Sequence, residues 1–154
     1  MIQHILLFFT FGSALGEKYV LCSTEELDTW YSFSGGFDQM LLTVLPCQYN
    51  GIGEWEIKFS GIPWFDLMNL HLKMQVFYND QTVAEKNIDW CIEEDQREQI
   101  CGTIKGEHFN YEARMRTAEY YLSPGLYEIS MHLFTGFDIQ QELILHANLT
   151  LLIK

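Results

Sequence analysis

Four cysteines are the residues of this 154-residue chain whose chemistry is easiest to assign. Cys22, Cys47, Cys91 and Cys101 are even in number, which predicts two disulfides in an exported protein and allows three pairings. The simplest arrangement joins Cys22 to Cys47 and Cys91 to Cys101. No Cys-x-x-Cys pair or Cys/His cluster has the spacing of a zinc site, so the cysteines are expected to constrain the chain rather than bind a metal.

Catalytic arrangements are hard to find among the other titratable residues. The five histidines are scattered, and His71 and His132 fall on the polar faces of predicted strands, where they are interpreted as solvated. The chain has no Gly-x-Ser-x-Gly elbow, phosphate-binding loop or His-Glu-x-x-His motif. Glu93-Glu94-Asp95 lacks the spacing of an EF-hand loop and is interpreted as a solvated hairpin tip. The sequence therefore predicts no enzymatic activity, no metal site and no cofactor.

The charge of the chain argues against two classes of partner. Aspartates and glutamates outnumber lysines and arginines by 21 to 9, which gives a formal net charge of −12. A nucleic-acid partner needs a basic face, and an anionic membrane surface attracts basic segments. We therefore expect no nucleic-acid partner. Direct membrane insertion is not expected either, because no apolar run is long enough to span a bilayer.

Residues 1–16 predict a signal peptide. Ile5–Phe11 is an apolar run of signal-peptide length, and Ala14-Leu15-Gly16 places small residues where a signal peptidase cleaves. Cleavage there makes Glu17 the mature start and leaves one domain, 17–154, in a protein that is secreted to the extracellular space. A buried N-terminal strand is the alternative interpretation of the same run.

Alternating apolar and polar residues predict β-strands over most of the mature chain. The clearest alternation runs from Leu70 to Tyr78, where the even-numbered residues are apolar and His71, Lys73 and Gln75 are polar. Eight or nine such segments, separated by turn residues, favour an all-β, immunoglobulin-like two-sheet β-sandwich. A short helix over Trp64–Met68 is the only helical interpretation that the sequence allows.

The last predicted strand carries a glycosylation sequence, Asn148-Leu149-Thr150. The alternation of this strand places an apolar set inward, namely Leu143, Leu145, Ala147, Leu149 and Leu151. Asn148 and Thr150 then face solvent, so Asn148 is the predicted glycosylation site.

A motif around the second pair of cysteines resembles a known family. Cys91 and Cys101 stand ten residues apart, and Gly102 and the turn Lys105-Gly106-Glu107 follow. This C-G-x-x-K-G-E element resembles the ML (MD-2-related lipid-recognition) family and, within it, the Toll-like-receptor accessory proteins.

Other parts of the chain are similar to the same family in the same order. Ile62–Leu67 is similar to the family's I-P-x-x-D-L motif, and Pro124–Tyr127 is similar to the turn and strand near its pocket mouth. Cys22 resembles the family's first cysteine, and Cys47 lies where its partner is expected. The similarity covers about the whole mature chain.

The resemblance implies a cup whose two sheets are splayed at one edge, with acyl chains filling an apolar cavity between them. Composition alone predicts only an ordinary sandwich core, so the cavity is an implication of the resemblance. Each methylene that a lipid buries there contributes ~0.8 kcal/mol. The implied wall positions are Ile57, Phe59, Leu72, Met74, Val76, Ile100, Ala113, Met115, Tyr120, Leu122, Tyr127, Met131, Leu145, Leu149 and Leu151.

The resemblance also implies partners. The implied ligand is a phospholipid or glycolipid, and the implied protein partner is the leucine-rich-repeat ectodomain of a Toll-like receptor in innate immune signalling. The placement of Asn148 and the Cys101-Gly102 pair are closer to the member that partners the radioprotective receptor of B cells than to the endotoxin coreceptor of Toll-like receptor 4. A receptor-independent carrier of lipid or sterol is the alternative within the same fold.

Two departures from the family pattern bear on function. The positions of an additional family disulfide are occupied by Ser34 and His146, so that bridge is absent. The cations that rim the mouth in the endotoxin-binding member are also replaced here, at Ala118, Tyr121, Pro124 and Glu128. Lys86 remains as the main matching cation, and an acidic mouth disfavours a phosphorylated glycolipid.

Overall fold

The part of the chain that a computed structural model describes contains nine antiparallel β-strands. The structure describes residues 17–47, 54–91, 100–116, 122–136 and 141–154. The strands are β1 (Tyr19–Ser23), β2 (Leu27–Gly35), β3 (Phe37–Leu45), β4 (Glu54–Pro63), β5 (His71–Tyr78), β6 (Gln81–Asp89), β7 (Phe109–Arg116), β8 (Gly125–Thr135) and β9 (Glu142–Ile153). The predicted signal peptide, the acidic residues 93–95, Ala118 and Tyr121 lie outside the described residues.

The strands form two sheets of unequal size. One sheet has six strands in the order β1-β2-β9-β8-β5-β6, and the other has three in the order β3-β4-β7. The prediction of an all-β, two-sheet sandwich is confirmed. The described residues contain no helix, and the helical interpretation of Trp64–Met68 is wrong. That segment is irregular because its backbone bonds to other segments: Trp64 N–H donates to the Gly36 carbonyl and Leu67 N–H to the Thr103 carbonyl, both at 2.8 Å.

The inward phasing of the last strand is correct along most of its length and wrong at its start. Leu145 and Leu151 are buried, whereas Leu143 is 49% exposed and its neighbour Ile144 is buried. The register explains the difference, because Leu133 pairs with Leu145 while Phe134 pairs with Leu143. Ile144 is therefore the extra residue of a β-bulge, which reverses the faces on either side of it.

The apolar alternation of the sequence does not predict β6 as a separate strand. It forms one edge of the six-stranded sheet, and its side chains are exposed except for Ile88, which is half-buried. The three-stranded sheet therefore leaves the inner face of β6 uncovered. A strand that is buried on neither face has little of the apolar periodicity that sequence patterns detect.

The edge of the sandwich formed by β1 and β3, opposite β6, is closed. The two sheets come closest at β1 and β3. The Cys22–Cys47 disulfide joins the same two regions, with a Cα–Cα distance of 5.7 Å. The second disulfide joins Cys91, which follows β6, to Cys101, which precedes β7. The sequential pairing of the cysteines is confirmed.

Two motifs singled out in the sequence bind each other. The Asp66 carboxylate accepts a hydrogen bond from the Lys105 backbone N–H at 2.8 Å. Gly106 N–H donates to the Pro63 carbonyl at 2.9 Å. Gly106 has φ of 83°, a left-handed conformation that favours glycine. The turn Lys105-Gly106-Glu107 is thus held against the Ile62–Leu67 segment, which explains why both sequence elements occur together.

Candidate functional site: an apolar cavity between the sheets

A cavity of about 150 Å³ lies between the two sheets. Its surface is apolar and comes from both sheets, with Tyr31, Phe33, Met40, Leu42, Ile57, Phe59, Leu72, Trp90, Met131, Leu133, Leu145, Ala147 and Asn148 as the lining residues. The period-two alternation of each strand places these side chains there, since every second residue faces the opposing sheet. An apolar space of this kind between two sheets suits an apolar ligand.

Eleven of the fifteen implied wall positions fall into three groups. Ile57, Phe59, Leu72, Met131 and Leu145 line the cavity. Ile100 is fully buried in the core beside it. A second core cluster contains five more, namely Val76, Leu122, Tyr127, Leu149 and Leu151.

The other four implied positions are not placed in the cavity or in either core cluster. Met74 is half-buried on β5, directly opposite Met131. The side chains of Ala113 and Met115 and the whole of Tyr120 lie outside the described part of the chain. Lipid contact at all fifteen positions stays a prediction.

Several lining residues were not assigned to the wall from the sequence. Ala147 follows from the alternation of β9. Met40 and Leu42 lie in the continuous apolar run of β3, and alternation cannot show which of them face inward. Trp90 follows β6 outside any strand, and its ring packs edge-on against Tyr111 with centroids 5.3 Å apart. Nothing in the sequence near Trp90 signals that contact.

A cluster of aromatic rings bounds the cavity at one end. Phe59 packs against Phe109 with ring centroids 5.2 Å apart, and Phe37 lies 5.9 Å from Phe109. Phe37 and Phe109 are buried, whereas Phe59 also lines the cavity. Aromatic pairs at these distances add to the stability of the packed core. All three rings belong to the three-stranded sheet, and Phe37 and Phe109 pack in one core cluster with Leu133 and Leu145 of the six-stranded sheet, so the two sheets are in contact at this end.

The outer face of the six-stranded sheet carries a separate, polar groove of about 570 Å³. Asn148 and Thr150 line it, and Asn148 pairs with Ser32 and Ser130 of the same groove, which agrees with the outward phasing predicted for the glycosylation sequence. Asn148 also borders the cavity between the sheets. Glu128 lines the same groove and therefore lies on the face away from the cavity. Modification of Asn148 remains a prediction.

The two positions of the absent family disulfide are neighbours on this outer face. Ser34 on β2 lies directly opposite His146 on β9, and His146 lies opposite His132 on β8. The imidazole rings of His132 and His146 are stacked, with centroids 4.5 Å apart and planes 13° from parallel. Desolvation, His146 and Lys73 together hold the pKa of His132 below its ordinary value of 6.5.

This histidine pair predicts a loss of stability in mild acid. Because the pKa of His132 is lowered in the folded protein, the unfolded chain binds more protons below pH 6.5. Above pH 6.5 His132 is neutral in both states, and its contribution to stability is fully present. That contribution is lost as the pH falls from 6.5 through the lowered pKa of His132 in the folded protein. His132→Gln should flatten the dependence of the unfolding free energy on pH between 6.5 and 5, measured by urea titration. An unchanged slope in His132→Gln contradicts the assignment.

The described residues bring no group of three or more histidine, cysteine, aspartate or glutamate side chains close enough to hold a metal ion. Across the same ranges, no helix has the length and apolar composition needed to cross a bilayer. The fold and the site together define a β-sandwich cup that encloses an apolar cavity.

Solved structures share this fold. The crystal structure of chicken MD-1 complexed with lipid IVa has a TM-score of 0.68 and 17% sequence identity, and the match covers 90% of this chain and 98% of that one. A Niemann-Pick type C2 protein from Japanese carpenter ant matches with a TM-score of 0.52 and 15% identity over 76% of this chain and 91% of that one. The C-terminal domain of Wzt matches with a TM-score of 0.53 and 13% identity, covering 86% of this chain and 79% of that one.

Comparisons of the sequence alone find no relatives. No model of a known protein family matches it, and no curated protein matches it. MD-1 and the Niemann-Pick type C2 protein are lipid-recognition proteins of the family that the motifs of this chain resemble. The structural comparison therefore confirms the predicted fold, although sequence identity is low.

Proposed function

We propose that the protein is a secreted, lipid-binding accessory protein of the ML lipid-recognition family that acts without enzymatic activity. The observation that carries the proposal is the apolar cavity between the two sheets, to which both sheets contribute lining residues. The disulfides fit an extracellular location. The complex of chicken MD-1 with lipid IVa supports a lipid as the ligand class.

The two edges of the sandwich are held differently. The Cys22–Cys47 disulfide and the approach of β1 to β3 fix one edge of the sandwich. The inner face of β6 at the other edge is exposed. A volume of about 150 Å³ is small for a lipid. We therefore propose that ligand enters at the β6 edge and that the sheets part there to accommodate it, with each buried methylene contributing ~0.8 kcal/mol.

Native mass spectrometry of the protein secreted from its own cell type tests this function. The expected spectrum shows the folded protein with one lipid bound, and extraction followed by lipid analysis identifies the molecule. Protein that is consistently empty, and that stays empty after incubation with mixed lipid vesicles, contradicts the proposal.

The proposed protein partner is the leucine-rich-repeat ectodomain of a Toll-like receptor. One end of the sandwich exposes three large apolar side chains, Trp64, Met68 and Ile104, each about half accessible to solvent. The hydrogen bond between Leu67 and Thr103 brings the segments that carry them together. Apolar side chains grouped on a surface are typical of a protein interface, and tryptophan often contributes most of the binding energy there.

A pull-down against two receptor ectodomains tests the partner. One is the radioprotective receptor of B cells, which partners lymphocyte antigen 86, and the other is Toll-like receptor 4, which partners lymphocyte antigen 96. Capture by the first is expected, and Trp64→Asp should reduce it about ten-fold or more, as for an interface anchor. Val83→Asp, at an exposed apolar residue of β6, is the matched control.

The alternative function is a lipid or sterol carrier that acts without a receptor. The fold shared with the Niemann-Pick type C2 protein favours it. A carrier would bind lipid in the mass spectrum and would form no stable complex with either ectodomain, so the two experiments together separate the functions. Capture by Toll-like receptor 4 alone would favour the endotoxin-coreceptor role.

A further inference from the structure

An aromatic ring stands at each end of the groove on the outer face of the six-stranded sheet. Trp30 on β2 pairs with Thr150 on β9, Thr150 pairs with Glu128 on β8, and Glu128 pairs with Phe77 on β5. All four residues line the groove, and both rings are half-buried. Neighbouring strands lie ~4.8 Å apart, so the backbone positions of Trp30 and Phe77 are roughly 14 Å apart. The groove therefore has a flat apolar surface at either end and polar side chains between them.

Uncharged polar side chains form the adjacent row of the groove. Ser32 pairs with Asn148, and Asn148 pairs with Ser130. These three residues and Thr150 are half-buried, yet no side chain among them hydrogen-bonds to another residue that the structure describes. Polar groups in partly buried positions usually have a hydrogen-bond partner. Three hydroxyls and one amide are therefore available to a ligand.

This combination of side chains suits a neutral saccharide. A sugar ring carries hydroxyl groups at its rim and has a C–H face that stacks on an aromatic ring. Hydroxyl and amide groups both donate and accept hydrogen bonds, so they match the hydroxyls of a sugar. An anion would meet Glu128 and a formal net charge of −12, with Lys18 as the one lysine or arginine that lines the groove.

The glycosylation sequence indicates where the saccharide comes from. Asn148, the predicted acceptor, lies inside the groove. Trp30 is its diagonal neighbour, since Trp30 pairs with Thr150, two residues further along β9. Diagonal neighbours on one face of a sheet lie ~7–8 Å apart, within reach of an aromatic side chain. A sugar linked to the Asn148 amide therefore begins beside the Trp30 ring, and the covalent link makes the contact intramolecular.

We propose that the outer groove is a saccharide-binding site and that its occupant is the glycan attached to Asn148. The first N-acetylglucosamine packs on Trp30, and the hydroxyls of Ser32 and Ser130 hydrogen-bond to the sugars. The inference rests on the predicted glycosylation of Asn148 and is independent of lipid binding in the cavity. The glycan then covers the outer face of β2, β9 and β8, which leaves protein partners to bind other surfaces.

A cycle of thermal unfolding measurements on the secreted protein tests the inference. Asn148 and Asn148→Gln are compared in the wild-type background, in Trp30→Ala and in the control Trp64→Ala, an exposed tryptophan outside the groove. Mass spectrometry records the glycan on each protein. Loss of the glycan should lower the Tm of wild type by about 3 °C, as expected for one aromatic contact. The same loss should occur in Trp64→Ala, and it should shrink to about 1 °C or less in Trp30→Ala.

Two further measurements complete the cycle. Trp30→Phe keeps an aromatic ring and should restore most of the effect of the glycan. If Trp30→Ala is not secreted, Trp30→Leu removes the ring and keeps apolar bulk. Free chitobiose, the disaccharide of N-acetylglucosamine, is titrated into Asn148→Gln and followed by tryptophan fluorescence. It should bind at roughly millimolar concentrations, because a free sugar lacks the gain from covalent attachment.

Three results would overturn the proposal, each at a different step. Equal losses of Tm in wild type and Trp30→Ala would show that the glycan does not pack on Trp30. Secreted wild type with unmodified Asn148 would remove the proposed occupant. Micromolar binding of chitobiose by Asn148→Gln would assign the groove to a free or partner-borne saccharide instead of the attached glycan. Each of these results leaves the proposed lipid binding untouched, because the cavity is tested separately by native mass spectrometry.

Discussion

Replacing Met131 with lysine is expected to abolish the lipid binding that we propose for the cavity. Met131 lines the cavity and lies directly opposite Ala147 and Met74, so the new ammonium group would stand between the sheets among apolar side chains. An unpaired charge in such surroundings costs at least several kcal/mol, so the fraction of protein with bound lipid should fall about ten-fold or more. Native mass spectrometry of wild type and variant, expressed in the same cells, measures this fraction.

The matched control is the neighbouring residue on the same strand. Ser130 projects into the outer groove, so Ser130→Lys adds the same charge on the opposite face of the sheet. It should leave lipid occupancy unchanged. If Met131→Lys prevents secretion, Met131→Gln provides a milder polar substitution in the same place. Full occupancy in a folded, secreted Met131 variant would show that the ligand binds elsewhere.

Removing the Cys91–Cys101 disulfide is expected to reduce secretion severely. Cys91 follows β6 and Cys101 precedes β7, so the bridge ties the two sheets together where β6 ends and leaves the rest of the β6 edge as the proposed entrance for ligand. Loss of a disulfide in a small exported domain typically lowers the free energy of unfolding by ~2–5 kcal/mol. A loss of this size is a large share of the total stability of such a domain.

The double variant Cys91→Ser/Cys101→Ser tests the effect without leaving a free thiol. Its secreted yield should fall several-fold relative to wild type, and its urea midpoint should be lower wherever enough protein is recovered. Cys101→Ser alone should be at least as severe, since Cys91 can then form wrong disulfides. An unaltered yield together with unaltered receptor binding would contradict the structural role of this bridge.

Much of the fold could be predicted because the strands are half-buried. In β5, β8 and β9, one face meets the opposing sheet and the other meets solvent, so apolar and polar residues alternate. Alternation failed where that condition does not hold. β6 is exposed on both faces, and the bulge at Ile144 shifts the phase between Leu143 and Leu145. An exposed strand lacks the apolar alternation that identifies a half-buried one, and the sequence around Ile144 shows no sign of the bulge.

The site could be predicted only in part, for a different physical reason. Alternation shows which face of a strand a residue occupies, but not how far apart the two sheets lie. Ile57 and Met131 line the cavity, while Val76 and Leu151 pack in a filled core on the same inward faces. Which inward residues face empty space depends on the packing of both sheets together. The resemblance to a lipid-recognition family predicts that a cavity exists, and only the folded structure shows where it lies.

The unpaired edge at β6 also bears on how the molecule behaves at high concentration. An edge strand presents free backbone N–H and C=O groups, on which another chain can add as a further strand and begin aggregation. Glu85, Lys86 and Asp89 place both signs of charge along this edge, on both of its faces. Charged side chains in such positions oppose the stacking of one molecule on the next. The charged side chains of β6 therefore oppose self-association through the exposed edge of the larger sheet.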